Sequence, residues 1–233
     1  MKIEQHHLAK SLNQEFFKDN DSYKSIQSEL EHYQFIAKSA ATETKGAKHL
    51  LDIGSGGVFI YPIDHIPSVT AIDLFIEEDF KNRYPNVTWL QRSALDMQFN
   101  QQFDTVIEIN TLHHVVGDSV ANTYKNLDTI MEQASKAMEN GGKLILLEST
   151  VPKWFLFFYQ IIFPLLLLIW PLKHPPTFQF HYRDILAAGK KAGFQLEEFC
   201  WIPKTSDILQ LGYRVKGWLS PIQMGKFIFT KNG

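Results

Sequence analysis

Apolar positions follow two rhythms along this chain, and the change falls near residue 46. Before it, Leu8, Leu12 and Phe16 recur every four residues, and Tyr23, Ile26, Leu30, Tyr33 and Ala37 make a second stripe at helical spacing. Asn20 and Asp21 lie between the two and suit the cap of the second helix, which Lys45-Gly46 closes. After residue 46, apolar runs of strand length alternate with amphipathic stretches. Strands are predicted at 49–53, 69–73, 87–91, 103–109 and 143–148, then at 194–202 and 226–230. A helix at 124–139 puts Leu127, Ile130, Met131, Ala134 and Met138 on one face and ends at Gly141-Gly142; another at 182–192 ends at Gly193. This alternation argues for α/β architecture, with a mostly parallel sheet covered on both faces.

One stretch breaks the rhythm. Residues 151–180 are far longer than the usual connection, and 154–171 read WFLFFYQIIFPLLLLIWP, uncharged, with Lys153 and Lys173 at the edges and a tryptophan near each end. Taken alone this meets several criteria for a membrane span. A span would place the last helix and strands across the bilayer from the rest of the sheet, and Pro164 is expected to interrupt the helix. Four placements remain: a lid over the site, an interfacial hairpin dipping into lipid, a dimer contact, or a buried core helix.

Composition narrows the partners. The chain has 233 residues, 45% of them hydrophobic, and a formal net charge of −2, which gives no electrostatic case for nucleic acid. The single cysteine, Cys200, has no internal disulfide partner and reads as a small core residue in a reducing compartment. The first residues, Met1-Lys2-Ile3-Glu4-Gln5-His6-His7, have no apolar signal core, so a cytoplasmic protein is expected.

The chemistry concentrates in Leu50-Leu51-Asp52-Ile53-Gly54-Ser55-Gly56-Gly57. An apolar strand ends in an acid and a tight glycine turn follows, so a ligand can lie against bare backbone. A carboxylate there repels a pyrophosphate and attracts an ammonium, and a dinucleotide pattern would also need glycine where Phe59 stands. S-adenosylmethionine carries an ammonium and a sulfonium and no phosphate. The competing reading of Asp52 is a strand-end acid capping the next helix. In open α/β sheets ligands bind beyond the carboxyl ends of the strands, where three more features converge. Asp73 ends the second strand, with Leu74 after it, and can accept from both ribose hydroxyls. Leu95-Asp96 follows the third, placed to pack on adenine and to accept from its amino group, although Asp96 is equally an ordinary turn acid. Glu108-Ile109-Asn110 ends the fourth, beside the methionine position.

At this point the chain resembles the class I S-adenosylmethionine-dependent methyltransferases of small-molecule type. The matching motifs are LLDIGSGG, VTAIDLF, RSALDM, FDTVIEINTLHHV and GGKLILLEST over roughly 48–150, with DILAAGKKAGFQLEEF further on. The resemblance implies that Asp52, Gly54 and Gly56 cradle the methionine end, Asp73 holds the ribose, Asp96 the adenine, and Asn110 approaches the aminoacyl group through its backbone. Val58 departs from the pattern, standing where the family often has a third glycine.

A base is less legible. His113-His114 follows the fourth strand; adjacent side chains point apart, so the pair suits orientation of the site or substrate contact, and no metal is expected. His181 and Tyr182 begin the helix after the insertion and could face the pocket or form a polar helix start. Displacement from a sulfonium rests largely on positioning and exclusion of water, and needs a base only for a protonated nucleophile. Tyr23 and Tyr33 could touch the cofactor, with core packing the plainer reading.

The expected architecture is therefore a Rossmann-like, doubly wound seven-stranded sheet in one domain: a helical cap at 1–46, a cofactor core at 47–150, the apolar insertion at 151–180, and the rest of the core at 181–233. The expected activity is methyl transfer from S-adenosyl-L-methionine to oxygen, carbon or nitrogen of a small, mostly apolar acceptor such as a quinone-like, polyketide, fatty acyl, terpenoid or lipid molecule. The alternative is a non-catalytic, cofactor-binding module docked on a membrane. Expected partners are that acceptor, no nucleic acid, and a membrane surface touched peripherally through 154–172, with the chain a monomer or homodimer.

Overall fold

In the computed structural model, residues 30–169, 176–203, 207–210 and 213–232 are described. The predicted helix around Leu8–Phe16 and Tyr23 lie outside them. The first described helix, α1 (Glu31–Glu43), turns His32, Ile36 and Ala40 inward at helical spacing. Four apolar strands follow, β1 (His49–Ile53), β2 (Ser68–Asp73), β3 (Val87–Gln91) and β4 (Phe103–Ile109), with the short helix α2 (Glu78–Arg83) between β2 and β3. Helix α3 (Val120–Ala137) starts at Ser119, whose hydroxyl accepts from the Asn122 N–H. It gives way to β5 (Met138–Thr150), α4 (Lys153–Ile169), α5 (Tyr182–Lys191), β6 (Phe194–Trp201), β7 (Asp207–Gln210), β8 (Tyr213–Lys216) and β9 (Gln223–Lys231).

Seven strands form one sheet in the order β3-β2-β1-β4-β5-β9-β6. The pairs among β1 to β5 are parallel, while β9 runs antiparallel between β5 and β6. The order reverses between β1 and β4, which pair directly, so the crevice of an open α/β sheet lies beyond their carboxyl ends. Each face carries its own core. Leu51, Ile53, Val106, Leu144 and Leu146 pack with α3, α4 and α5; Leu50, Ala71, Ile107, Ile145 and Leu147 pack with α1 and with Phe59 and Tyr61 from the loop after β1. The period-two alternation thus sends Asp52 to the α1 side and Glu108 to the other.

Several expectations are corrected. The helix predicted at 124–139 spans Val120–Ala137, and Gly141-Gly142 lies within β5, where the pairing with β4 shifts register between Phe103 and Thr105. Strands β7 and β8 form a separate hairpin that the hydrophobic rhythm did not announce. Cys200 is exposed rather than core, because β6 is the edge strand and turns one face to solvent. Helix α4 runs through Pro164 without a break, losing the one backbone bond that proline cannot donate. It is not a buried core helix either: Leu156 and Phe163 are buried, but Trp154, Phe157, Phe158 and Ile161 are exposed. No described helix is long and apolar enough to cross a membrane.

Candidate functional site

The turn after β1 is shaped by close approach of backbone. Gly54 has φ +72° and donates its N–H to the Ile72 carbonyl at 2.9 Å; a Cβ there would lie 2.3 Å from Thr111 Oγ1. Gly56 has φ +58°, and a Cβ on it would meet only open space. The first glycine therefore lets β1, β2 and the segment after β4 converge, while the second borders room for a ligand.

Two carboxylates serve this turn from the α1 face. Asp73 Oδ2 accepts from the Gly56 N–H at 2.9 Å and Oδ1 from the Phe75 N–H at 3.0 Å. Burial raises the Asp73 carboxyl, and these backbone donors partly offset the rise. Asp52 is 4% exposed and its Oδ2 accepts from the Tyr61 hydroxyl at 2.6 Å. Burial pushes its pKa up to about 7; the Tyr61 bond opposes the shift and the charge of Asp73 adds to it. The acid is poised to ionise when a cation arrives. The two aspartates are thus close enough to feel each other's charge, with Gly56 between them in sequence and bonded to one of them.

The other expected residues border the same strand ends. Leu74 is exposed, with its carbonyl accepting from Gln91 Nε2 at 3.0 Å. Arg92 donates its N–H to the Asp73 carbonyl at 2.9 Å, which ties the segment after β3 to the site. Leu95 is half-buried and Asp96 exposed, its carboxylate accepting from Gln98 Nε2 at 3.1 Å. Asn110 has φ +56° and donates its N–H to the Leu147 carbonyl at 3.0 Å, turning the chain sharply as it leaves β4.

The opposite face holds a second constellation. Glu108 and Glu148 are both buried at the ends of β4 and β5. Glu108 accepts from the N–H groups of Thr111 and Leu112, and Glu148 Oε2 accepts from the Leu112 N–H at 2.8 Å, so both carboxyls brace the turn that carries His113. His113 Nδ1 lies 2.7 Å from Glu148 Oε1. Ser149 Oγ lies 3.3 Å from the same nitrogen and donates to Gln179 Oε1 at 2.6 Å. Burial together with the Glu148 charge drives the Glu108 carboxyl well above its ordinary value. For Glu148 burial works upward too, but His113 and Ser149 outweigh it and hold the carboxyl below its ordinary value. Burial thus favours the neutral form of Glu108, while His113 and Ser149 favour the anionic form of Glu148. The anion favours the His113 tautomer with its proton on Nδ1, leaving Nε2 as an acceptor.

His181 and Tyr182 are drawn elsewhere. His181 Nδ1 accepts from the Arg183 N–H at 3.3 Å, and Asp184 accepts in return from the His181 N–H at 3.2 Å, a capping box at the start of α5. Tyr182 stacks on Phe199 with ring centroids 5.2 Å apart. Tyr33 packs against the α1-side core. Tyr61, Thr111, Glu148 and Gln179 are additions to the expected set. A tyrosine or glutamine in an irregular segment has no period to reveal it, whereas Glu148, an acid closing an apolar strand, carried the same signal as Asp52.

Residues 51–146 match the family model described as a methyltransferase domain. The match covers 96 of the 233 residues, from within β1 to within β5. No curated protein matches it. Among solved structures, the N-methyltransferase NodS from Bradyrhizobium japonicum WM9 in complex with S-adenosyl-L-homocysteine is 12% identical, covers 96% of this chain and 98% of its own, and superposes with TM-score 0.62. The 1,6-didemethyltoxoflavin-N1-methyltransferase of Burkholderia thailandensis is 11% identical over 98% of this chain and 90% of that one, with TM-score 0.62. Geranyl diphosphate C-methyltransferase from Streptomyces coelicolor A3(2) is 13% identical over 91% and 84%, with TM-score 0.60. At such identities the likeness is one of fold. The NodS and didemethyltoxoflavin methyltransferase structures both hold S-adenosyl-L-homocysteine. The open space beside Gly56 and an acid poised near neutrality fit an ammonium-bearing nucleoside.

Proposed function

We propose that this chain is an S-adenosylmethionine-dependent methyltransferase acting on oxygen, carbon or nitrogen of a small, mostly apolar acceptor, in the cytoplasm and beside a membrane. The observation that carries the cofactor half is the Asp73–Gly56 bond with Asp52 at the other end of the same turn. Asp52, Gly54, Gly56 and Asn110 hold the methionine portion, Asp73 and Leu74 the ribose, and Leu95 and Asp96 the adenine. Bound there, S-adenosylmethionine supplies a methyl group on a sulfonium, a good leaving group that asks little of the protein beyond alignment and exclusion of water. The apolar acceptor is supported by α4, which presents an uncharged surface from Trp154 to Leu168 next to the end of β5. Residues 1–46, 47–150, 151–180 and 181–233 serve as cap, cofactor core, apolar insertion and completion of the core.

Where the acceptor arrives protonated, His113 Nε2 takes the proton, with Glu148 stabilising the imidazolium that forms. Incubating the protein with labelled S-adenosylmethionine and an apolar extract of cells tests the reading; a labelled, extractable small molecule is the expected product. Cofactor binding without any labelled product in such extracts would leave the fold as a binding module. A His113→Ala variant should lose roughly 10²- to 10⁴-fold in kcat/KM on an acidic O–H acceptor while binding S-adenosylhomocysteine as before.

A further inference from the structure

Helix α4 is two-faced in an unusual sense, since both faces are apolar. Leu156 and Phe163 sink into the core, the Tyr159 hydroxyl donates to the Thr177 carbonyl, and Gln160 Nε2 donates to the Tyr124 hydroxyl at 3.0 Å. These contacts fix the rotation of the helix. The opposite side presents Trp154, Phe157, Phe158, Ile161, Leu165 and Leu168, each between 58% and 66% exposed. Their spacing of three and four residues draws one straight stripe about 21 Å long. The one amide of the helix, Gln160, is spent on the inner side, so no charge or amide interrupts the stripe. A helix facing water carries polar groups there, and a protein-binding patch is an apolar centre within a polar rim. None of the six stripe residues carries a charge or an amide.

Charge selects the occupant. The Val151 N–H donates to the Phe180 carbonyl at 3.0 Å, so Lys153 and Arg183 both stand where α4 and α5 begin, next to Trp154 and alongside the Asp184 carboxylate that closes the α5 cap. A second apolar projection stands at the same end of the sheet. Trp218 is 77% and Leu219 61% exposed just ahead of β9, whose first residue, Gln223, pairs with Thr150 three residues before α4 begins. Apolar ridges bordered by cations and tryptophan match the boundary between anionic headgroups and hydrocarbon.

We infer that the outer stripe of α4 docks this methyltransferase on an anionic lipid bilayer, lying in the interface rather than crossing it, so that its acceptor is drawn from the leaflet. The route of the acceptor rests on the apolar-acceptor reading above; the docking itself does not. The test is flotation of the full chain with vesicles of phosphatidylcholine alone or mixed with phosphatidylglycerol. At least tenfold more protein should float with the anionic vesicles, and added salt should reduce that advantage. A Phe158→Glu, Ile161→Glu double variant should lose at least tenfold of the vesicle-bound fraction, and Lys153→Glu with Arg183→Glu should abolish the preference for anionic lipid. Calorimetry with S-adenosylhomocysteine on the same samples reports folding and the cofactor site separately. Wild-type protein that stays in the buffer, or floats equally well with the double variant, overturns the docking and leaves the cofactor reading intact. A solution dimer split by the double variant, without vesicle binding, overturns it in favour of a second copy of the chain.

Discussion

In the proposed cofactor site, Asp52 is where pH should act most directly on ligand binding. Its carboxyl sits near 7 in the folded chain against 3.8 in the open, with burial as the main cause. A cationic ammonium favours the ionised acid, so affinity for S-adenosylhomocysteine should climb between about pH 6 and 8, and binding below neutrality should release protons. Calorimetry in buffers of different ionisation enthalpy measures both; a flat profile would remove Asp52 from the ammonium. The sign for stability is opposite. A raised carboxyl favours the fold fully below 3.8, and that contribution is lost as pH rises through about 7, a loss that Asp52→Asn should abolish. For Asp73, replacement by alanine should weaken cofactor binding by about 1–3 kcal/mol through loss of charge-assisted bonds. Unchanged affinity would place the ribose elsewhere.

The element scale explains what the two residues at the start of α5 do. His181 caps the helix through Nδ1, Asp184 closes the box, and Tyr124 reaches Asp184 from α3 at 3.0 Å. His181→Asn keeps an acceptor at the cap and should keep near wild-type melting, whereas His181→Ala should cost about 1 kcal/mol. If methyl transfer rather than melting suffers in His181→Asn, the histidine belongs to the chemistry. The glycine turn offers a second test at this scale. Gly54→Ala would drive a Cβ against Thr111 and force a left-handed residue, so it should destabilise by roughly 1–3 kcal/mol, with partial rescue by Thr111→Gly.

At the scale of the molecule, the hydrophobic rhythm was legible wherever an element's burial depends on itself. β1 and β4 are apolar runs with acids at their carboxyl ends, and their limits follow directly from that contrast. What the rhythm cannot report is what lies across a gap. Tyr61 reaching back to Asp52, or His113 meeting Glu148 thirty-five residues on, depends on two irregular segments and a neighbouring strand end. The β7–β8 hairpin is illegible for another reason: strands of four residues hold too few alternations to stand out. His32 illustrates the same blindness: the predicted stripe passes through Leu30, Tyr33 and Ala37, yet the helix buries His32, Ile36 and Ala40. Burial lowers the His32 pKa to about 4 from 6.5, so its contribution to stability is present above 6.5 and drains away as pH falls toward 4. Melting temperatures across that window should drop less steeply in a His32→Phe variant.

The antiparallel seat of β9 between β5 and β6 has a consequence for synthesis. The ribosome delivers β5 by residue 150, yet the strand that zips onto its free edge starts only at residue 223. Until then a hydrophobic border, Leu144 to Leu147, stands open, and β6 has no partner strand either. A nascent chain stalled anywhere in that interval is a template for cross-pairing with its neighbours, so premature stops there should yield inclusion bodies and strong chaperone dependence rather than a soluble fragment.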